Sequence, residues 1–65
     1  MDQESQLKVI AAGFHIIRTD DQPNIRIKIK DKNHPEWATL RKFETKVARD
    51  REYKELMQLS TFISD

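Results

Sequence analysis

The chain has no cysteine, one glycine and two prolines in 65 residues. Without cysteine there is neither a disulfide nor a thiolate metal site. A single glycine excludes any glycine-rich loop that could cradle a phosphate with backbone N–H groups. Long apolar runs are also missing: none approaches the roughly 18 residues that a membrane span requires. The opening Met1-Asp2-Gln3-Glu4 is acidic, where a secretory signal is basic and then apolar. These absences predict a cytoplasmic protein with no membrane partner. No charge sign dominates either, since 12 Lys and Arg stand against 11 Asp and Glu.

Recognisable catalytic and metal patterns are equally scarce. The two histidines, His15 and His34, have no neighbouring His or Cys, so a zinc site would need to be assembled largely from carboxylates. Asp20 and Asp21 are adjacent, but the twelve-residue calcium pattern with its glycine and terminal Glu is not there. Ser5, Ser60 and Ser64 occur in no nucleophile-elbow context. His15, between Phe14 and Ile16, has no orienting partner close to it in sequence and reads as a sheet histidine. His34, before Pro35, reads as a cap or loop residue. The expectation is a non-enzymatic protein with no metal, cofactor or small-molecule ligand.

What is present is enough for a fold. Trp37, Tyr53, Phe14, Phe43 and Phe62 join Ile, Leu and Val positions in short periodic blocks, whereas a disordered chain has fewer aromatics and a larger net charge. Residues 1–65 read as a single small α+β domain. A chain this short buries only about 60% of the surface its unfolded form exposes. With disulfides and metal excluded, self-association is the remaining supplement to its stability.

Leu7, Ile10 and Ala11 recur at helical spacing after Asp2 or Ser5 as cap, and Gly13 follows where a left-handed residue ends a helix, which predicts a helix over 3–12. Residues 14–19 are β-branched and aromatic. Asp20-Asp21-Gln22-Pro23-Asn24 is a turn, and Ile25-Arg26-Ile27-Lys28-Ile29-Lys30 alternates apolar and basic residues. Together they predict an antiparallel hairpin whose second strand has an apolar face and a cationic one.

The segment after Pro35 admits two readings. One is a long helix over 35–59. The other is a third strand over 37–43, then a helix over 46–58 capped by Thr45. On one continuous helix, Trp37, Leu40, Phe43, Val47, Tyr53 and Met57 drift by more than the roughly 20° per heptad that supercoiling absorbs. The split reading is therefore preferred. It places Trp37 and Phe43 on one side of a strand, and Val47, Tyr53, Leu56 and Met57 on one helical stripe. Residues 60–63 have strand-like composition and are the candidate for a short final strand. The predicted fold is thus a short helix, a three-stranded antiparallel meander, a C-terminal helix and this last strand.

This order, with Gly13-Phe14 leading into the first strand, resembles that of small RNA-binding folds such as the double-stranded-RNA-binding domain and the HicA-type RNase toxins. The Gly-Ser-His segment of such toxins has no counterpart in Arg18-Thr19-Asp20-Asp21-Gln22-Pro23-Asn24, so the resemblance implies order alone and transfers neither activity nor residues.

Two functions are expected on these grounds. The first is an interaction module that self-associates as a homo-oligomer through Trp37, Phe43, Phe62 and Ile63, since aromatic residues are enriched at the centres of such contacts. The second is sequence-tolerant nucleic-acid binding through Arg26, Lys28 and Lys30, extended by Arg41 and Lys42 on the neighbouring strand. Alternate strand residues stand about 6.6–6.8 Å apart, close to the spacing of successive phosphates along one strand.

Overall fold

In a computed structural model that describes residues 1–65, the chain folds as α1 (Gln3–Ala11), β1 (His15–Asp20), β2 (Arg26–Lys30), β3 (Ala38–Lys42), α2 (Lys46–Leu56) and β4 (Phe62–Ser64). The α+β class and the split reading of residues 35–59 both hold, and the single long helix does not occur. The reason is local chemistry on both sides of Glu44. The Thr45 hydroxyl accepts the Ala48 N–H at 3.1 Å, satisfying one of the donors that a new helix leaves without a partner. A cap of this kind is worth about 0.5–2 kcal/mol. At the other end of the chain, Asp2 caps α1 by accepting from the Ser5 N–H at 2.8 Å. Gly13 then turns the chain with φ +99°, a left-handed conformation that costs glycine little.

The four strands form one mixed sheet in the order β3-β2-β1-β4. The meander is antiparallel, with Ile16 opposite Lys30, Arg18 opposite Lys28 and Asp20 opposite Arg26, while Ile17 faces Ile29 and Thr19 faces Ile27. β4 runs parallel to β1, with Phe62 beside His15, Ile63 beside Ile16 and Ser64 beside Ile17.

Directly opposed residues share a face of the sheet. One face therefore carries Ile17, Ile27 and Ile29, all buried, with Ala38, Phe43, Tyr53, Leu56 and Phe62 packed against them. This is the core between the sheet and α2. The Tyr53 hydroxyl fixes the helix to it, donating to the Ile17 carbonyl at 3.3 Å and lying 2.5 Å from Ser64 Oγ. The other face carries Ile16, Arg18, Asp20, Arg26, Lys28 and Lys30, and α1 packs on its β1 side, with Gln6 and Ile10 buried. The sheet is thus covered by one helix on each face.

Two details differ from the sequence expectation. Val47 leaves the helical stripe and is 69% exposed, and Met57 lies beyond the last helical turn. The buried position of α2 is Arg49, which with Tyr53 and Leu56 makes the i, i+4, i+7 line that faces the sheet. Arg49 tolerates this because it pairs with Asp21 in the β1–β2 turn and with Asp50 at 3.0 Å. The second difference is a register shift between Ile27 and Lys28, where Leu40 is the extra residue of β3. Trp37 and Phe43 consequently lie on opposite faces of the sheet. Phe43 packs on the isoleucine core, and Trp37 lies against Arg18 and Lys30.

Candidate nucleic-acid interface

The alternation of β2 fixes the candidate surface. With Ile27 and Ile29 drawn into the core, Arg26, Lys28 and Lys30 must stand on the opposite face, and the antiparallel register adds Arg18 from β1 and Lys42 from β3. Five of the twelve basic residues collect there, against two acidic ones, Asp20 and Asp65. These seven side chains sum to a formal charge of +3 in a chain whose total is +1.

The five cations are not equivalent. Lys28 and Arg26 share the Asp20 carboxylate, at 2.8 and 3.2 Å. Arg26 also donates to Thr39 Oγ1 and the Gln22 carbonyl, so its guanidinium is occupied by the protein's own groups. Lys30 is only 7% exposed; its ammonium donates to Gln6 Oε1 at 2.9 Å and lies 5.3 Å from the centre of the Trp37 ring. Arg18, partly exposed, lies over the same ring at 4.7 Å and 3.7 Å from Asp65. Lys42, opposite Arg26 on the outer strand, is exposed. The groups most open to a ligand are therefore Arg18 and Lys42; Lys28, 19% exposed, reaches a phosphate only by sharing its contact with Asp20, and Lys30 contributes charge from beneath.

The expectation that Arg41 extends this patch is corrected. The shift at Leu40 places Arg41 opposite Ile27, on the α2 side, where it lies 3.5 Å from Glu52 and over Phe43. Arg18 is the residue that sequence reasoning left out of the patch. Its signal was its even spacing from Ile16 in a strand that pairs antiparallel with the basic one.

Of the candidate interface residues, Phe43 and Phe62 pack on the chain's own core, Ile63 is half-buried beside Ile16, and Trp37 is half-buried within the basic face.

Asp20 and Asp21, although adjacent, diverge. Asp20 turns to Lys28 and Arg26, which together with the Gln22 N–H hold its carboxyl far below the usual carboxylate range. Asp21 turns to Arg49 and Lys46 on α2. Alternating strand direction separates the two charges, and each is met by cations of the protein.

A second polar cluster lies at the other end of the hairpin. His15, on the core face beside Phe62, places Nδ1 2.7 Å from Asp31 Oδ2, and His34 places Nδ1 3.2 Å from Oδ1. The Asn33 and His34 N–H groups donate to the same Oδ1, at 2.9 and 2.8 Å. The partner missing near His15 in sequence is thus Asp31, supplied by the hairpin. Four donors on one buried carboxylate make a staple between the 31–34 turn and β1. Burial alone would raise the Asp31 pKa, but the bonds from His15 and from the His34 and Asn33 backbone prevail and hold it below its ordinary value.

The sign of the pH dependence follows. A carboxyl depressed in the folded state adds stability that is present above its unfolded pKa and is lost as pH falls through the folded one. The urea midpoint of Asp31→Asn is expected to lie below that of the parent at neutral pH. The gap should close as pH falls below the ordinary carboxylate value of 3.8 and the parent loses this contribution. A gap of constant size across that range would show that the Asp31 charge is not what stabilises the turn.

Comparison of the chain with known families, curated proteins and solved structures finds no match. The likeness to small RNA-binding folds accordingly remains one of element order.

Proposed function

We propose that this chain is a small, non-enzymatic binding module whose partner is a nucleic acid, held through its phosphates on the basic face of the sheet. The supporting observation is the concentration of charge: five cations against two carboxylates on one sheet face of a nearly neutral chain. Such a field attracts a polyanion to that face. Nothing on that face reads bases in an ordered pattern, so binding is tolerant of sequence.

Fluorescence anisotropy with labelled oligonucleotides at several salt concentrations tests the proposal. With about three phosphates neutralised, log K should fall with log salt at a slope of roughly −2 for a single strand and nearer −3 for a duplex. Changing Arg18, Lys28 and Lys42 together to Gln should flatten the slope and remove most of the binding. Binding that ignores salt, or survives that triple change, overturns the assignment of the face.

Self-association is a second reading, and one observation favours it. β3 is the outer strand of the sheet, and Leu40 is exposed on it. The same strand bears Arg41, Lys42 and a bulge, all features that discourage edge pairing. Sedimentation equilibrium distinguishes the two: a monomer at high micromolar concentration removes the dimer and leaves the basic face untouched.

A further inference from the structure

Trp37 is the only tryptophan, and it is the aromatic that the fold places among the cations of the basic face. Phe43, Tyr53 and Phe62 all go to the opposite side of the sheet. A bulge makes the difference, since without the extra residue at Leu40 the strand would carry Trp37 and Phe43 to one side. Two cations, Arg18 and Lys30, lie 4.7 and 5.3 Å from the centre of its ring, so Trp37 sits where charges of the basic face converge.

We infer that the ligand of this face is a single strand, RNA or DNA, with one base stacked on Trp37 while the adjoining phosphates are held by Arg18 and Lys28. This rests on the phosphate-binding reading above and goes further in naming the form of the nucleic acid. Two observations support it. First, Trp37 is a ring with cations on it at the surface of this face, which the exposed Thr39 and Lys42 of β3 continue. Second, a duplex keeps its bases stacked on each other, whereas an unpaired strand can offer a base to an aromatic ring beside a cationic groove. Arg18 is 42% exposed at its side chain and is the cation on Trp37 most open to solvent; it turns from the ring to the phosphate as the base arrives.

The intrinsic fluorescence of the unmodified chain reads this directly, because Trp37 is its sole source of indole emission. Oligothymidylate and oligouridylate should each quench and shift that emission, and should bind more tightly than a duplex of the same length. Trp37→Ala should weaken single-strand binding roughly 5- to 100-fold, and Trp37→Phe should restore most of it. The parent's emission and the Phe variant decide the matter even if the Ala variant is poorly folded. Salt-dependent binding that is equal for single strand and duplex, with Trp37 emission unchanged, overturns this inference and leaves the phosphate-binding face standing. Absence of salt-dependent binding to any oligonucleotide overturns both, as does binding confined to anionic phospholipid vesicles.

Discussion

Ile27→Ala is expected to cost about 2–5 kcal/mol, the range for removing a buried branched side chain from a packed core. A domain of this size has a total stability of roughly 3–10 kcal/mol at the typical value per residue. The change therefore removes a large share of it, and unfolding should be visible in a urea melt well below the parent's midpoint. Ile27 is fully buried on β2, flanked by β1 and β3, and it belongs to the three-isoleucine cluster on which α2 rests. Truncation leaves a cavity on the rigid side of the sheet, where backbone pairing prevents collapse. Val47→Ala is the control: at an exposed site it should move the midpoint by less than about 0.5 kcal/mol. Similar losses at both positions would mean that the core has been misplaced.

The second large effect is expected at Arg49. Its guanidinium is buried on the sheet-facing line of α2 and joins Asp50 to Asp21, so one side chain ties the helix to the β1–β2 turn. Removing one partner of a fully buried pair costs about 3–5 kcal/mol, but here both carboxylates remain in contact with water, so about 1–3 kcal/mol is expected for Arg49→Ala. Arg49→Lys should recover only part of it, since a lysine cannot hold two carboxylates with a planar fork. The ionic share should shrink as salt rises. A deficit that is the same at low and high ionic strength would assign the effect to packing of the side-chain stem instead.

The elements were legible in the sequence because each is signalled locally. Thr45 before a run without Gly or Pro, the Asp-Asp-Gln-Pro-Asn turn and the period-two run of β2 all act within a few residues. The choice between strand and helix after Pro35 could also be made from periodicity, since one helix could not have put Trp37 and Phe43 to use with Tyr53. The bulge could not be read. No glycine marks Leu40, and a strand with or without the extra residue has the same composition, yet that residue decides the faces of Trp37, Arg41 and Phe43. The buried Arg49 had a signal in its helical spacing to Tyr53 and Leu56. What concealed it was the rule that charged residues stay in water, which fails when a partner such as Asp21 arrives from a distant turn. Lys30 is a comparable case, because alternation gave its face correctly and could not show that Gln6 would cover it. The Asp31 staple joins residues that share no local pattern, and only the hairpin register brings His15 to it.

The parallel pairing of β4 with β1 also has a consequence in time. A tight turn can join antiparallel neighbours, so β1, β2 and β3 can find one another by short-range search. A parallel neighbour cannot be reached that way: β4 meets β1 only after the chain has passed through β2, β3 and α2. Closing so long a loop carries more entropy loss than closing a hairpin and is the kind of contact that slows folding. The meander can therefore assemble first, and α2, carrying Tyr53, brings Ser64 to the free side of β1. On this account, one side of the sheet is settled early by neighbours in sequence, and the other waits for the helix to return the chain.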